Sequence, residues 1–270
     1  MSIHIGLTGI TGRLNGLIAE LLLKNEYSGC VLRRAFIRPG HENSGKDIGC
    51  ILGLAGTGIN TDTDLEAVFN HSDVVIDFTV PETLPDNLDT ALKSKIPMVI
   101  GTTGFDKTQF KLIDNAALEI PVLYASNTSM GVSVLYNLVE KAAAILGPDW
   151  DIEISETHHR YKKDAPSGTA LALGKAAATG RDINLEDNAD FDRIGKTAER
   201  QNGRIGFAVQ RGGDVPGEHT VSFFGPSERI ELTHSAHDRT LFARGAIQAA
   251  LWLHGKPPGL YTMQDVRSAS

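Results

Sequence analysis

The first half of the chain alternates short, mainly apolar runs with stretches of helical period, and no other feature restricts the fold as much. The runs are residues 3–8, 31–37, 74–78, 98–100 and 122–124, each bounded by turn residues. Strands that are apolar throughout, rather than at every second position, are buried on both faces. Between them lie helical patterns at 14–24, 64–69, 83–93 and 107–118. This order predicts an α/β fold, a Rossmann-like doubly wound parallel sheet with helices on both faces. The Gly-rich stretch 39–59 has no clear period and reads as a long loop.

A helix is expected over 130–146. Beyond Pro148 the pattern changes to strands at 151–158, 204–210, 218–224 and 229–234, with one clear helix at 168–178. That half predicts a second α+β domain built on a mixed or antiparallel sheet. Residues 181–200 are polar and irregular, as in an insertion. The last helix, 241–253, fits either domain.

The segment GLTGITGRLNG, residues 6–16, closes the first strand and opens the first helix. A phosphate-binding loop needs backbone amides at a helix N-terminus and glycines that let the chain turn tightly. Gly9 and Gly12 have that context, but the spacing is G-x-x-G. Thr11 and Asn15 stand where the common dinucleotide fingerprint has its second and third glycines. Asn15 would fit if the helix stands slightly off the sheet. A loop that binds NAD usually has an acid at the end of the second strand to hold the ribose. Here that end carries Ile37 and then Arg38, and Arg13 opens the first helix. Two arginines suit a 2′-phosphate, so NADPH is the expected cofactor and NADH the weaker one. Small polar runs follow three further strands: Asp77–Thr79, Gly101–Thr103 and Ala125–Thr128. Ligands of open α/β sheets bind beyond such strand ends.

The segment ETHHRYKKDAPSGTA, residues 156–170, gathers His158, His159, Arg160, Lys162 and Lys163 in a chain whose net charge is -7. It then enters a helix near Ser167–Thr169. Free amides at Gly168 and Thr169 and the cationic side chains could converge on one anion. Continuing the Ile152/Ile154 alternation places His158 on the apolar side and His159 on the other. No third metal ligand is evident, so no metal is expected, and Ser167 lacks the elbow context of a serine nucleophile. The net negative charge argues against nucleic acid or an anionic membrane as partner. The chain shows no signal peptide and no apolar run near the ~18 residues of a spanning helix. Cys30 and Cys50 are the two cysteines, with no C-x-x-C pairing. These features fit a cytoplasmic protein with a small-molecule ligand.

The segment HHRYKKDAPSGTA closely resembles the signature of the 4-hydroxy-tetrahydrodipicolinate (dihydrodipicolinate) reductase family, H-H-x-x-K-x-D-A-P-S-G-T-A. VIGTTGF, IDFT, RGGDVPGEHTVSFF, ERIELTHSAHDR and FARGAIQAALWL are also similar to that family's segments, so the likeness runs over nearly the whole chain. It implies NADPH-dependent reduction of a cyclic unsaturated dicarboxylate in lysine and diaminopimelate biosynthesis. It also implies a homotetramer, and domains at 1–129 plus 241–270 (dinucleotide) and 130–240 (substrate and oligomerisation). By position it implies that His158 and Lys162 are catalytic, and that His159, Gly168 and Thr169 bind substrate. Gly9, Ile10, Thr11, Gly12, Arg13, Leu14, Arg38, Gly101, Thr102, Thr103, Ala125, Ser126, Asn127 and Thr128 would contact the nucleotide. Two departures stand out. The loop reads Gly9-Ile10-Thr11-Gly12-Arg13-Leu14-Asn15 where the family usually has G-x-x-G-R-M-G, and Ile37 replaces the acid that many members place against the ribose. The rival expectation is a non-catalytic NADP(H)-binding sensor or scaffold.

Overall fold

The computed structural model describes residues 2–195 and 197–266. In chain order the elements are β1 (Ile3–Thr8), α1 (Arg13–Leu23), β2 (Cys30–Phe36), α2 (Ile48–Ile51), β3 (Thr61–Asp62), α3 (Leu65–Asn70), β4 (Val74–Asp77), α4 (Leu84–Ser94), β5 (Met98–Ile100), α5 (Lys107–Ala117) and β6 (Pro121–Tyr124). There follow α6 (Met130–Leu146), β7 (Asp151–His158), α7 (Gly168–Gly180), α8 (Leu185–Asn188), β8 (Ala189–Asp190), β9 (Ile205–Arg211), β10 (Gly217–Phe224), β11 (Arg229–Ala236), α9 (Thr240–Leu253) and β12 (Gly259–Tyr261). By contacts the chain divides into two units. One runs up to Ser129 and resumes at Thr240; the other is Met130–Arg239. No described helix is long and apolar enough to cross a membrane.

The first unit is a parallel sheet of order β12-β6-β5-β4-β1-β2-β3. Two of its inner strands are fully enclosed: every residue of β4 and β5 is buried, whereas β2 exposes Arg33. Helix α1 packs on α9, while α3, α4 and α5 pack in succession. Phe69, Leu84, Leu88, Met98, Ile113 and Val122 form the core beneath that second group. Helix α5 starts where a capping box fixes it. The Asp106 carboxylate accepts from the Gln109 amide, and the Gln109 side chain accepts from the Asp106 amide. The strand order reverses between β1 and β4, the switch point at which ligands of such sheets bind.

The second unit is a mixed sheet of order β11-β10-β7-β9-β8. β10 is antiparallel to β7 and β11, whereas β7, β9 and β8 run parallel. Helices α6 and α7 pack together and against this sheet. Leu135, Val139, Leu173, Ile152, Ile154, Val221 and Phe223 make the core between them.

Several short elements differ from the sequence reading. The 39–59 stretch contains α2, fixed by the Asp47 carboxylate, which accepts the amides of Cys50, Thr57 and Gly58. The 181–200 stretch contains α8 and the two-residue β8. β3 and β12 are too short to show a period of their own, and each forms only because a partner edge, β2 or β6, is waiting for it.

Candidate functional site

In the first unit the loop after β1 turns at Gly9, whose φ of +69° lies in the left-handed region that glycine adopts without strain. A Cβ there would stand 2.7 Å from Thr79 Cγ2, so the site also demands the smallest residue. The loop closes on itself through Gly12 N–H to Gly9 O at 2.9 Å. Gly12 is the N-cap of α1 with no side-chain cap, and no acid occupies the first turn. The helix therefore presents unpaired amides and its positive end.

Asn15 is fully buried, and its amide donates to Thr8 O and Gly9 O. The residue that replaces the fingerprint's third glycine thus staples the turn shut. Beside it, Asp77 at the end of β4 is buried and accepts from Thr8 Oγ1 at 2.7 Å and from the Thr79 amide at 3.0 Å. Burial pushes its proton affinity up. Thr79 N–H also donates to Thr102 Oγ1 at 2.9 Å, which links the ends of β4 and β5.

Among the expected nucleotide contacts, Thr11, Arg13, Arg38, Thr103 and Ser126 are exposed, and Gly12, Leu14 and Asn127 are partly so. The guanidinium groups of Arg13 and Arg38 have no ion-pair partner among the described residues. Ile10, Thr102 and Thr128 are buried. The Thr128 hydroxyl donates to Phe242 O at 2.8 Å, and so anchors α9 rather than facing outward. From these three residues only backbone could reach a ligand. Ile37 is buried and Arg38 follows it into solvent, so no carboxylate stands at the end of β2.

In the second unit the inward face of β7 reads Ile152, Ile154, Glu156, His158, all buried. The hydrophobic core gives way to charge over the last two inward positions. Register completes the cluster, because Glu156 lies opposite His219 on β10 and His158 opposite Arg211 on β9. The Glu156 carboxylate accepts from Arg211 Nη2 at 2.9 Å and from the Ser167 amide at 3.0 Å, both through Oε1. Its Oε2 stands 3.4 Å from His158 Nδ1 and 3.6 Å from His219 Nε2.

Although burial alone would push Glu156 up, the neighbouring His219 ring and the hydrogen bonds from Ser167 and Arg211 hold it down at about 2. Burial pushes His158 down to about 4, partly offset by the Glu156 charge and reinforced by His219, Lys162 and Arg211. At neutral pH the carboxylate is thus ionised and the imidazole neutral. The donor atoms of Glu156, His158 and His219 all lie within 4.8 Å of one another, a set that sequence spacing did not reveal. Arg211 already neutralises that carboxylate, which fits an acid–base network better than a cation site.

The basic segment after β7 is pinned by backbone bonds from His159 N–H to Val215 O and from Arg160 N–H to Gly213 O. Lys162 pairs with Asp164 at 2.9 Å and is only partly exposed. His159 Nε2 lies 3.5 Å from the Arg239 guanidinium. Ser167 caps α7 by accepting the Ala170 amide at 3.1 Å, and its hydroxyl lies 3.2 Å from His219 Nε2. Gly168 and Thr169 follow as the first helical residues, with Gly168 exposed. His158, Lys162, His159, Gly168 and Thr169 therefore belong to one connected segment.

Sequence reasoning missed Glu156, Arg211, His219 and Arg239. The signal for two of them was present: Glu156 continues the inward row of Ile152 and Ile154 on β7, and His219 shares the inward row of Val221 and Phe223 on β10.

Comparison with known proteins accounts for this pairing of a glycine-loop sheet with a histidine–lysine segment. Residues 3–128 match the family model "Dihydrodipicolinate reductase, N-terminus", and residues 131–266 match "Dihydrodipicolinate reductase, C-terminus". The chain is 48% identical to the 4-hydroxy-tetrahydrodipicolinate reductase of Zymomonas mobilis, over 98% of this chain and 97% of that one. It is 45% identical to the enzyme of the same name from Magnetococcus marinus, over 98% of each. A dipicolinate-bound dihydrodipicolinate reductase from Paenisporosarcina shares the fold, with a TM-score of 0.76, 22% identity, and coverage of 99% of this chain and 100% of that one. Both halves of the chain match over nearly their whole length, and it belongs to the dihydrodipicolinate reductase family.

Proposed function

We propose that the protein reduces dihydrodipicolinate, which 4-hydroxy-tetrahydrodipicolinate gives by loss of water, to tetrahydrodipicolinate in lysine and diaminopimelate biosynthesis, with NADPH preferred over NADH. The observation that carries this reading is the second unit's cluster. A neutral histidine, an ammonium and the first turn of helix α7 share one segment, the set that a dianionic, proton-accepting ring requires.

In this reading the unit up to Ser129 with α9 and β12 holds the nucleotide, and Met130–Arg239 holds the substrate. The Gly9–Leu14 turn and α1 N-terminus take the pyrophosphate. Arg13 and Arg38 take the 2′-phosphate, and the exposed groups at Thr103 and Ser126 take the remainder of the nucleotide. A bound dihydronicotinamide would supply the hydride. His159 and the amides of Gly168 and Thr169 hold the substrate carboxylates. Those carboxylates raise the proton affinity of His158 when they bind beside it. His158 and the Lys162 ammonium then supply the proton that the reduced ring needs, and the cationic cluster stabilises the charge that develops. The same reading carries a cytoplasmic homotetramer. A non-catalytic NADP(H) sensor is not favoured, because such a protein has no use for a histidine and a lysine beside a dicarboxylate pocket.

The test follows NADPH oxidation at 340 nm with the condensation product of pyruvate and aspartate semialdehyde. Wild-type protein should turn over. His158→Gln and Lys162→Met should each lose about 10²-fold or more in kcat while staying folded. Near-normal turnover in both variants would defeat the assignment.

A further inference from the structure

We propose that Glu156 is a positioning residue for His158: its buried carboxylate selects the Nδ1-protonated tautomer and leaves Nε2 as the reactive nitrogen, while Arg211, Ser167 and His219 hold the carboxylate in place. The inference rests on the reading of His158 given above, but it concerns atoms that no substrate need touch.

The argument begins with the two carboxylate oxygens, which are used unequally. Oε1 is saturated by Arg211 Nη2 at 2.9 Å and the Ser167 amide at 3.0 Å. Oε2 has no hydrogen bond, and neither has His158 Nδ1, yet both atoms are buried and they lie 3.4 Å apart. A buried unpaired acceptor facing a buried unpaired ring nitrogen is costly unless a proton lies between them. A short closure of that gap in the working complex is ordinary for catalytic hydrogen bonds. If the role of Glu156 were only to neutralise Arg211, a two-pronged contact would be the usual geometry. Here one guanidinium nitrogen makes the contact, and the same Nη2 also donates to Asp164 O at 2.6 Å, while Arg211 Nε has no partner.

The other ring nitrogen is kept clear. At Gly217 on β10 a Cβ would stand 3.0 Å from His158 Nε2, so the absence of a side chain there leaves that edge open. His219 stacks edge-on to His158 with ring centroids 5.0 Å apart, and its Nε2 bridges towards Ser167 Oγ at 3.2 Å and Glu156 Oε2 at 3.6 Å.

The charged and titratable groups facing His158 are Glu156 on its own strand, Arg211 on β9, His219 on β10 and Lys162 in the following loop. His234 on β11 faces His219 in turn. Of these only Glu156 favours the charged imidazole. Removing its charge therefore lowers the proton affinity of His158 further.

The experiment uses the full-length protein and two readouts. The first is the tautomer of His158, from two-bond ¹⁵N–¹H correlation of the imidazole at pH 7.5 without ligands. Wild-type protein should show Nδ1–H, and Glu156→Gln should lose that preference. The second is the pH profile of kcat. In Glu156→Gln, kcat should fall at least tenfold with KM changed less than threefold, and the limb belonging to His158 should move to lower pH.

Glu156→Asp, which keeps the charge and withdraws it by one methylene, should recover part of both. It also carries the tautomer test should the Gln variant not fold. An unchanged Nδ1–H tautomer in the Gln variant would overturn the proposal. So would a fall in kcat/KM that lies wholly in KM with the pH profile unmoved, because the carboxylate would then only shape the start of α7. A wild-type protein that shows the tautomer but reduces no substrate would instead sink the functional reading and leave the positioning claim standing.

Discussion

Replacing His158 by Gln should change how stability depends on pH, and the structure sets the size of the change. Burial holds the imidazole at about 4, against an ordinary 6.5. Between those values the unfolded chain binds a proton there that the folded chain does not, so stability falls as the pH drops below 6.5. The slope of that loss is at most about 1.36 kcal/mol per pH unit. From pH 7 to pH 5 the single residue therefore removes about 2 kcal/mol. Glu156, held at about 2 instead of 4.5, adds a loss of the same sign only below pH 4.5. The interval from pH 6.5 to pH 5 thus isolates the histidine. His234, also lowered by burial, contributes equally to both proteins and cancels in the comparison. Urea unfolding of wild type and His158→Gln at pH 7 and pH 5 gives four free energies. The wild type should lose about 2 kcal/mol more than the variant over that interval. Equal losses would show that His158 titrates alike in both states, and the claim of a buried neutral imidazole would fail.

Three other outcomes follow from particular contacts. Arg38→Ala should cut kcat/KM for NADPH by about tenfold or more, as loss of a charge-assisted contact implies. It should leave NADH nearly unchanged, and steady-state kinetics with both cofactors will decide. Gly217→Ala should lower kcat and also cost folding stability, because Gly217 holds a φ of +158° that side-chain-bearing residues rarely adopt and the added methyl crowds His158 Nε2; an unaltered kcat in the folded variant would show that edge of the ring to be idle. Gly245→Ala places a Cβ 1.7 Å from Thr128 O, where α9 meets the end of β6, and should destabilise the protein by about 1–3 kcal/mol in urea titrations.

The legible parts of the fold were those where one strand or helix carries its own signal. The runs at 3–8 and 98–100 coincide with β1 and β5, because each is mainly apolar and its residues are mostly buried. The helix at 130–146 coincides with α6. What could not be read were features that exist only between segments. β12 forms at Gly259–Tyr261 because the edge of β6 is open to it, not because GLY has a pattern. In the site, the His158–Thr169 segment is contiguous and was visible as an excess of positive charge. Glu156 meets His219 across 63 residues of chain, and only the β7–β10 register brings them together. Arg211 joined them for the same reason, as the β9 residue opposite His158. Asn15 shows the reverse case. The sequence marked it as a departure from the usual glycine loop, and its buried amide closes that loop onto Thr8 and Gly9.

The central claim is a hydride delivered to a cyclic dicarboxylate by this protein, and isotope transfer tests it most directly. NADPH carrying two deuterons at the nicotinamide C4 is incubated with the enzyme and the pyruvate–aspartate semialdehyde condensation product, and the ring product is weighed by mass spectrometry. The account predicts tetrahydrodipicolinate one mass unit heavier than that made with ordinary NADPH. Cofactor oxidation with no label in the ring, or no oxidation at all, would contradict it.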